Sequence, residues 1–186
     1  MKLIGFHKVK DGKYLKNYEL TYLNKAGKEK VYEIVSRKEI NDISELGNRV
    51  NGVSIVAIWE DKLLLLKEFR MGVNRSIYNL CAGMIEDGES IEECIARELY
   101  EETGLQCKRI VKILPPSFAS VAISDVKTQI AIVEAKGIID DHTSENEKID
   151  AAFYTREEVK SLLETEEFSS RAQLAAYMFT VCKEFA

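Results

Sequence analysis

Residues 83–105 read GMIEDGESIEECIARELYEETGL. Gly83 is followed by Glu89, then by Arg97, Glu98 and Leu99, then by Glu101 and Glu102, and the stretch closes on Gly104 and Leu105. The pattern predicts a helix from Ser90 to Thr103. At about 100° per residue, Glu98, Glu101 and Glu102 fall within an arc of roughly 100°. Three carboxylates this close repel one another and raise each other's pKa values unless a cation stands among them. Hard oxygen donors suit a divalent metal, and Mg²⁺ works with a few carboxylates, waters and substrate phosphates. A solvated acidic helix face, with Arg97 in an ordinary surface ion pair, is the alternative reading of the same residues.

Local signals frame the helix. Ser90 followed three residues later by Glu93 fits a capping box. Gly104 suits the left-handed position just past the helix end, and Gly88 permits a sharp turn before it. Ile95 and Leu99 lie four residues apart and can face a core.

At 186 residues the chain has room for one domain, or one domain with a small appendage. Hydrophobic residues make up 46% of it, enough for a sizeable core. The formal charge of −5 argues against non-specific nucleic-acid binding, which needs a basic footprint. It leaves room for one anionic substrate, since metals and arginines can reverse the sign locally. Cys81, Cys94, Cys107 and Cys182 show neither a C-x-x-C pair nor zinc spacing, and read as small buried residues in a reducing compartment. The apolar run at the start is short for a signal peptide, and no run reaches the ~18 residues of a membrane span. The expected location is cytoplasmic.

Residues 1–46 form a candidate first unit. Tyr18 to Leu23 reads as a strand, 24–28 as a turn, and Glu29 to Ser36 as the returning strand, with Tyr32 and Ile34 on one face. Two strands are marginal alone in water, so this hairpin is expected to pack on the main domain or on a second subunit. The main domain is placed at 47–186. VSIVAIW (53–59) and the leucine run 63–66 are apolar on both faces, as buried strands are. Further strands are expected near 76–80, 108–114 and 127–135, with a loop from Pro115 to Val126 and another from Asp140 to Asn146. A short helix is expected over 157–164 and a longer one from Arg171 to Phe185, with Leu174, Tyr177, Met178 and Val181 in register. The fold class expected is α/β, a mixed sheet between helices in an α/β/α sandwich, with a small N-terminal β-hairpin region.

The stretch 83–105 resembles the Nudix box at all nine defining positions: Gly83, Glu89, Arg97, Glu98, Leu99, Glu101, Glu102, Gly104 and Leu105. The resemblance implies hydrolysis of a nucleoside diphosphate linked to another group, with Mg²⁺ or Mn²⁺. By position, Glu98, Glu101 and Glu102 would bind metal, and Glu89 and Arg97 would brace loop against helix. Glu89 would add to the metal shell in some relatives.

The flanks are similar to the ADP-ribose pyrophosphatase branch. Lys67-Glu68-Phe69-Arg70 resembles K-Q-[FY]-R, and Asn79-Leu80-Cys81-Ala82-Gly83 resembles E-[LF]-P-A-G. Gly12-Lys13-Tyr14, followed by Tyr32-Glu33-Ile34-Val35-Ser36-Arg37, resembles the branch's N-terminal region. Carried across, Tyr14 and Tyr32 would sandwich an adenine, one from each subunit of a homodimer. Glu33 would touch the base edge, Arg37 and Arg70 would hold base and diphosphate, and the Ala82 carbonyl would be a further metal ligand. A purine wants flat aromatic faces, and a diphosphate wants a planar, permanently charged fork. Tyr14 and Tyr32 as plain strand aromatics, and Arg37 as a solvated charge, are the alternatives. Arg70 ends an apolar run, so its charge needs an anion nearby.

Asn79 stands where the branch has glutamate and Cys81 where it has proline. The loop after Pro115-Pro116 lacks the Pro-Gly pair of relatives, and that loop often bears on substrate choice. The general base would be a box glutamate or a loop acid. Glu147 comes first by its alignment with the relatives' loop glutamate, then Glu145 and Asp125; solvated loop acids are the alternative for all three. Expected, then, is a hydrolase of ADP-ribose or a related nucleoside diphosphate sugar, with no nucleic-acid or membrane partner. A hydrolase of GDP-mannose or another nucleoside diphosphate, and a non-catalytic Nudix-fold sensor, are the alternatives.

Overall fold

The computed structural model describes residues 1–182. The chain divides into two compact units; the first holds residues 1–51 and 116–128, and the second the rest of the described residues.

The first unit is built on three antiparallel strands, β1 (Lys2–Asp11), β2 (Lys16–Leu23) and β3 (Glu29–Ser36). The expected hairpin is β2–β3, with Glu19 opposite Glu33 and Leu20 opposite Tyr32. Strand β1, not read from the sequence, pairs along β2 through two register irregularities. Its third strand gives the unit a small core of Tyr18, Leu20, Ile34 and Ile40, with Phe6 stacked on Tyr18 at 4.9 Å. The Tyr18 hydroxyl accepts the Ile40 N–H at 2.8 Å, so its polar end is satisfied inside that core. The stretch Pro115 to Val126, read as a loop, reaches β3: Val35 N–H donates to the Ile123 carbonyl at 2.8 Å.

The second unit holds the sandwich. Its central strands are β4 (Val50–Trp59) and β5 (Lys62–Arg70), followed by β6 (Arg75–Asn79), β7 (Cys81–Met84), α1 (Ile91–Thr103) and β8 (Gln106–Ile113). Then come a two-residue β9 (Ser117–Phe118) in the first unit, β10 (Lys127–Lys136), β11 (Ile149–Tyr154), α2 (Arg156–Thr165) and α3 (Ser170–Val181). The strand order is β11-β5-β4-β10-β8, with β6 beside β5, β7 beside β4 and β9 beside β10.

Alternation sorts the apolar strands between two cores. Leu64 and Leu66 join Val53, Ile55 and Ala57 under Cys94, Ile95 and Leu99 of α1. Leu63 and Leu65 point the other way, to Val159 of α2 and Ala172, Ala176 and Phe179 of α3. Each buried leucine contributes about 1.5–3 kcal/mol, which is why a LLLL run belongs between helices on both faces of a sheet. Helix α3 corrects one expectation. Its small residues Ala172 and Ala176 lie against the sheet, while Leu174, Tyr177, Met178 and Val181 are exposed or largely so. The helix carries apolar residues on two opposite sides, so periodicity could not choose the buried face; its expected end at Phe185 lies outside the described residues. Strand β11 was not read from the sequence, and it runs antiparallel to β5 from Ile149 opposite Glu68.

Candidate functional site

Helix α1 begins and ends as its sequence dictates. The Ser90 side chain accepts from Glu93 N–H, the Glu93 carboxylate accepts from Ser90 N–H, and Gly104 closes the helix in the left-handed region at φ 73°. The helix lies so close to β7 that a Cβ on Gly83 would overlap the Glu98 carboxylate. A Cβ on Gly52 would likewise overlap the Gly83 carbonyl, so β4 and β7 are also pressed together at this point. Gly52 carried no sequence signal, because its role exists only once the two strands pair.

Arg97 gathers the loop and the helix. Its Nε and Nη2 grip the two oxygens of Glu89 at 2.7 and 2.9 Å, Nη1 donates to Glu98 at 2.9 Å and Glu101 at 3.0 Å, and Nη2 also donates to the Met84 carbonyl. Glu89 in turn accepts the Glu86 N–H. The Arg97 guanidinium and that N–H hold the Glu89 carboxyl down at about 2, and Glu89 above all holds the Arg97 guanidinium firmly protonated.

Glu98 and Glu102 face inward, while Glu101 is exposed. Burial pushes the Glu98 carboxyl up, against the pull of Arg97. Glu102 accepts the Ala82 N–H at 3.1 Å. Burial pushes its carboxyl up to about 8, with Glu98 and Glu68 adding like charge and Cys81 and Ala82 opposing. Burial also drives the Cys81 thiol well up, with Glu102 adding to it. Two acids withdrawn from water that still repel each other are a donor set that fits a hard divalent cation. Among the described residues no three His, Cys, Asp or Glu side chains are already gathered as a metal cage. Arg97 occupies oxygens of both Glu98 and Glu101.

A second group stands at the end of β5. Alternate residues share a strand face, so the α1 side that reads Leu64 and Leu66 in the core continues as Glu68 and Arg70. The Glu68 side chain, 15% exposed, is ion-paired to Arg70. Pairing of β11 with β5, and the Phe69 N–H bonded to the Lys148 carbonyl at 3.0 Å, bring the Glu147 loop alongside. Glu68, Arg70, Glu147 and Lys148 thereby line one cavity of about 260 Å³. The Glu147 carboxylate accepts the Ser144 hydroxyl at 2.9 Å. Arg171, in the first turn of α3, escaped the sequence reading; burial and the charge of Arg70 lower its pKa. Glu68 was also missed as a site residue, although an acid two residues past a leucine run is itself a signal.

The remaining expected residues lie in the first unit. Tyr14 is 70% exposed in the β1–β2 turn, with the Lys13 ammonium 5.0 Å from its ring centre. Tyr32 is exposed on β3, and its hydroxyl donates to the Ala122 carbonyl at 2.6 Å. Glu33 and Arg37 are exposed. Of the other loop acids, Glu145 is exposed and Asp125 accepts the Gly47 N–H at 3.4 Å.

Comparison with known proteins matches the NUDIX domain family over residues 48–177. An ADP-ribose pyrophosphatase of Bacillus subtilis (strain 168) is 27% identical over 143 residues, 75% of this chain and 77% of that protein. An ADP-sugar pyrophosphatase of Mus musculus is 28% identical over 134 residues, 69% of this chain but 59% of that protein. A solved structure described as an ADP compounds hydrolase matches with a TM-score of 0.72 and 23% identity, over 96% of this chain and 90% of that one, a likeness of fold. With the box complete and the sandwich around it, the chain belongs to the Nudix family.

Proposed function

We propose that the protein hydrolyses the diphosphate bond of ADP-ribose or a closely related nucleoside diphosphate sugar, releasing a nucleoside monophosphate and a sugar phosphate. One observation carries the reading: the cavity at the end of β5 sets a guanidinium, Arg70, beside a loop carboxylate, Glu147, and its Glu68 acts electrostatically on Glu102 of the box. Those are the groups an anionic diphosphate and an attacking water require.

In this reading Glu98, Glu101, Glu102 and the Ala82 carbonyl hold Mg²⁺ or Mn²⁺. When bound, such an ion neutralises charge on the departing phosphate and lowers the pKa of an attached water. Arg70 presents its planar fork to the diphosphate oxygens. Glu147 is within the same cavity and takes the proton of the attacking water as general base; Glu101 and Glu102 are the box alternatives. Arg97 and Glu89 keep the box helix and its loop in one geometry.

Tyr14, Tyr32, Glu33 and Arg37 bind the base, with one tyrosine from each subunit of a homodimer. The exposed rings of Tyr14 and Tyr32, and the exposed Val31, Val121 and Ile123 of the same unit, support that assembly. A cytoplasmic site of action agrees with four free cysteines. No helix among the described residues is long and apolar enough to cross a membrane.

The test is a hydrolysis panel with Mg²⁺ containing ADP-ribose, GDP-mannose, UDP-glucose, NADH, coenzyme A, diadenosine polyphosphates and deoxynucleoside triphosphates. The expected result is a kcat/KM that favours ADP-ribose. Equal or lower activity on it than on GDP-mannose would move the substrate to the other nucleotide sugars. Light scattering at the mass of one 21.1 kDa chain would remove the shared adenine site.

A further inference from the structure

We infer that Asn79 and Glu68 form a positioning pair that aims Arg70 at the diphosphate, with the amide and the carboxylate exchanged relative to the branch's motifs. The inference rests on the substrate reading above and extends it to residues outside the box.

The Asn79 amide has one orientation that satisfies all its bonds. Its Oδ1 accepts the Ser169 hydroxyl at 2.7 Å and the Leu80 N–H at 3.0 Å, which leaves Nδ2 to donate to Glu68 Oε2 at 3.0 Å. Ser169 is the N-cap of α3, and its own N–H donates to the Tyr78 carbonyl at 2.9 Å. The amide is therefore pinned to the junction of β6 and α3. Glu68 uses its two oxygens for two different donors, Oε2 for Asn79 and Oε1 for Arg70. A carboxylate can turn a separate oxygen to each donor, whereas an amide in its place would turn an N–H toward one of them. Arg70 is thus drawn to a fixed acid while the like charge of Arg171 acts on it from α3. A guanidinium so placed loses less freedom when it takes up an anion than one on a free stem.

The sequence carries the second half of the argument. The resembled motifs K-Q-[FY]-R and E-[LF]-P-A-G put an amide at position 68 and a carboxylate at position 79. Here the same two groups occupy the opposite positions and touch. The change at Asn79 is therefore not the loss of an acid from the site; the acid stands on the neighbouring strand, joined to the amide by a hydrogen bond.

The experiment is a reciprocal exchange that keeps side-chain length: Glu68→Gln, Asn79→Asp and the double variant. KM and kcat for ADP-ribose are measured with Mg²⁺, and ADP binding by calorimetry without turnover. Glu68→Gln offers one acceptor oxygen where the parent offers a separate one to Asn79 and to Arg70, and turns an N–H donor toward one of those two donors, so it is expected to raise KM about tenfold with a smaller change in kcat. Asn79→Asp sets two carboxylates in contact and is expected to raise KM similarly. The double variant restores an amide–carboxylate pair and is expected to return KM to within about threefold of the parent. In an Arg70→Ala background, Glu68→Gln should change KM and ADP affinity by less than about twofold. Additive losses in the double variant, or an undiminished Glu68→Gln effect without Arg70, would overturn the pair. If Asn79→Asp does not fold, Glu68→Gln with and without Arg70 decides alone. A parent enzyme that binds ADP but prefers another substrate would refute the substrate reading and leave the pair testable by ADP binding.

Discussion

Gly83 and Glu98 occupy adjoining space in which only a hydrogen fits: a Cβ on Gly83 would overlap the Glu98 carboxylate. The helix acid is thereby pressed against β7 and cannot swing outward on that side. Glu98 is the box acid that burial and Arg97 act on in opposite senses. A glycine eight residues upstream of the helix thus sets where one candidate ligand stands.

Gly83→Ala is expected to destabilise the protein by about 1–3 kcal/mol, the range for overpacking a filled site. For a chain of this size each kcal/mol lowers Tm by about 2–4 °C. Scanning calorimetry measures it, and kcat should fall further than stability alone explains, because Glu98 must move. An unchanged Tm would contradict the close approach.

Much of this was legible in the sequence, and the limits have physical causes. The capping box of Ser90 and Glu93 and the left-handed Gly104 are local, so spacing along one helix determines them; the grip of Arg97 on Glu89, which lies before the helix, was legible through the resemblance. The two-faced burial of 63–66 was legible because a run of leucines has no solvent face to offer. Strand β1 was missed since most of its residues are exposed, and β11 since its short run follows an acidic loop. The Glu68–Asn79 contact joins residues eleven apart, and Asn79–Ser169 joins residues ninety apart. Such contacts become visible only when strand register and helix placement are known. The residues expected to bind the base are legible by resemblance alone, because exposed side chains of the first unit leave no packing signature.

The Glu89–Arg97 pair gives a dependence on acid pH whose sign follows from the direction of the shift. The folded carboxyl titrates near 2, below its ordinary 4.5. It therefore contributes stability that is complete above pH 4.5 and is lost as pH falls toward 2. Glu89→Gln should lower Tm at pH 7 and approach the parent as pH drops through that window. Parallel curves from pH 7 to pH 2.5 would show that the pair does not hold the loop.

Tyr14 offers a cleaner test of binding, since its ring is mostly in water and supports no core. Tyr14→Ala should leave Tm within about 1 °C, in line with a surface change. If the ring stacks on adenine in ground and transition states alike, KM for ADP-ribose rises while kcat changes little. Steady-state kinetics on ADP-ribose separate the two; a kcat loss with KM unchanged would take Tyr14 out of base recognition.

Glu102 joins pH, metal and turnover in one residue. Its carboxyl is pushed up to about 8, chiefly by burial, from an ordinary 4.5. A proton then binds the folded chain more tightly than the unfolded one, so without a cation stability is complete below pH 4.5 and is lost as pH rises through 8. A divalent ion needs the carboxylate and competes with that proton. Mn²⁺ affinity is expected to climb from pH 6 to pH 8 and level off above it, and the Tm gained on adding Mn²⁺ should be larger at pH 9 than at pH 6. Glu102→Gln removes both the proton and the charge. Its metal-free Tm should no longer fall between pH 6 and pH 9, its gain from Mn²⁺ should shrink, and turnover should drop by orders of magnitude with the fold intact. Calorimetry with chelator and with Mn²⁺, alongside kcat at each pH, measures all of these. A variant with near-parental turnover would remove Glu102 from the metal site, and one whose metal-free Tm follows the parent across the same pH range would place the titrating group elsewhere.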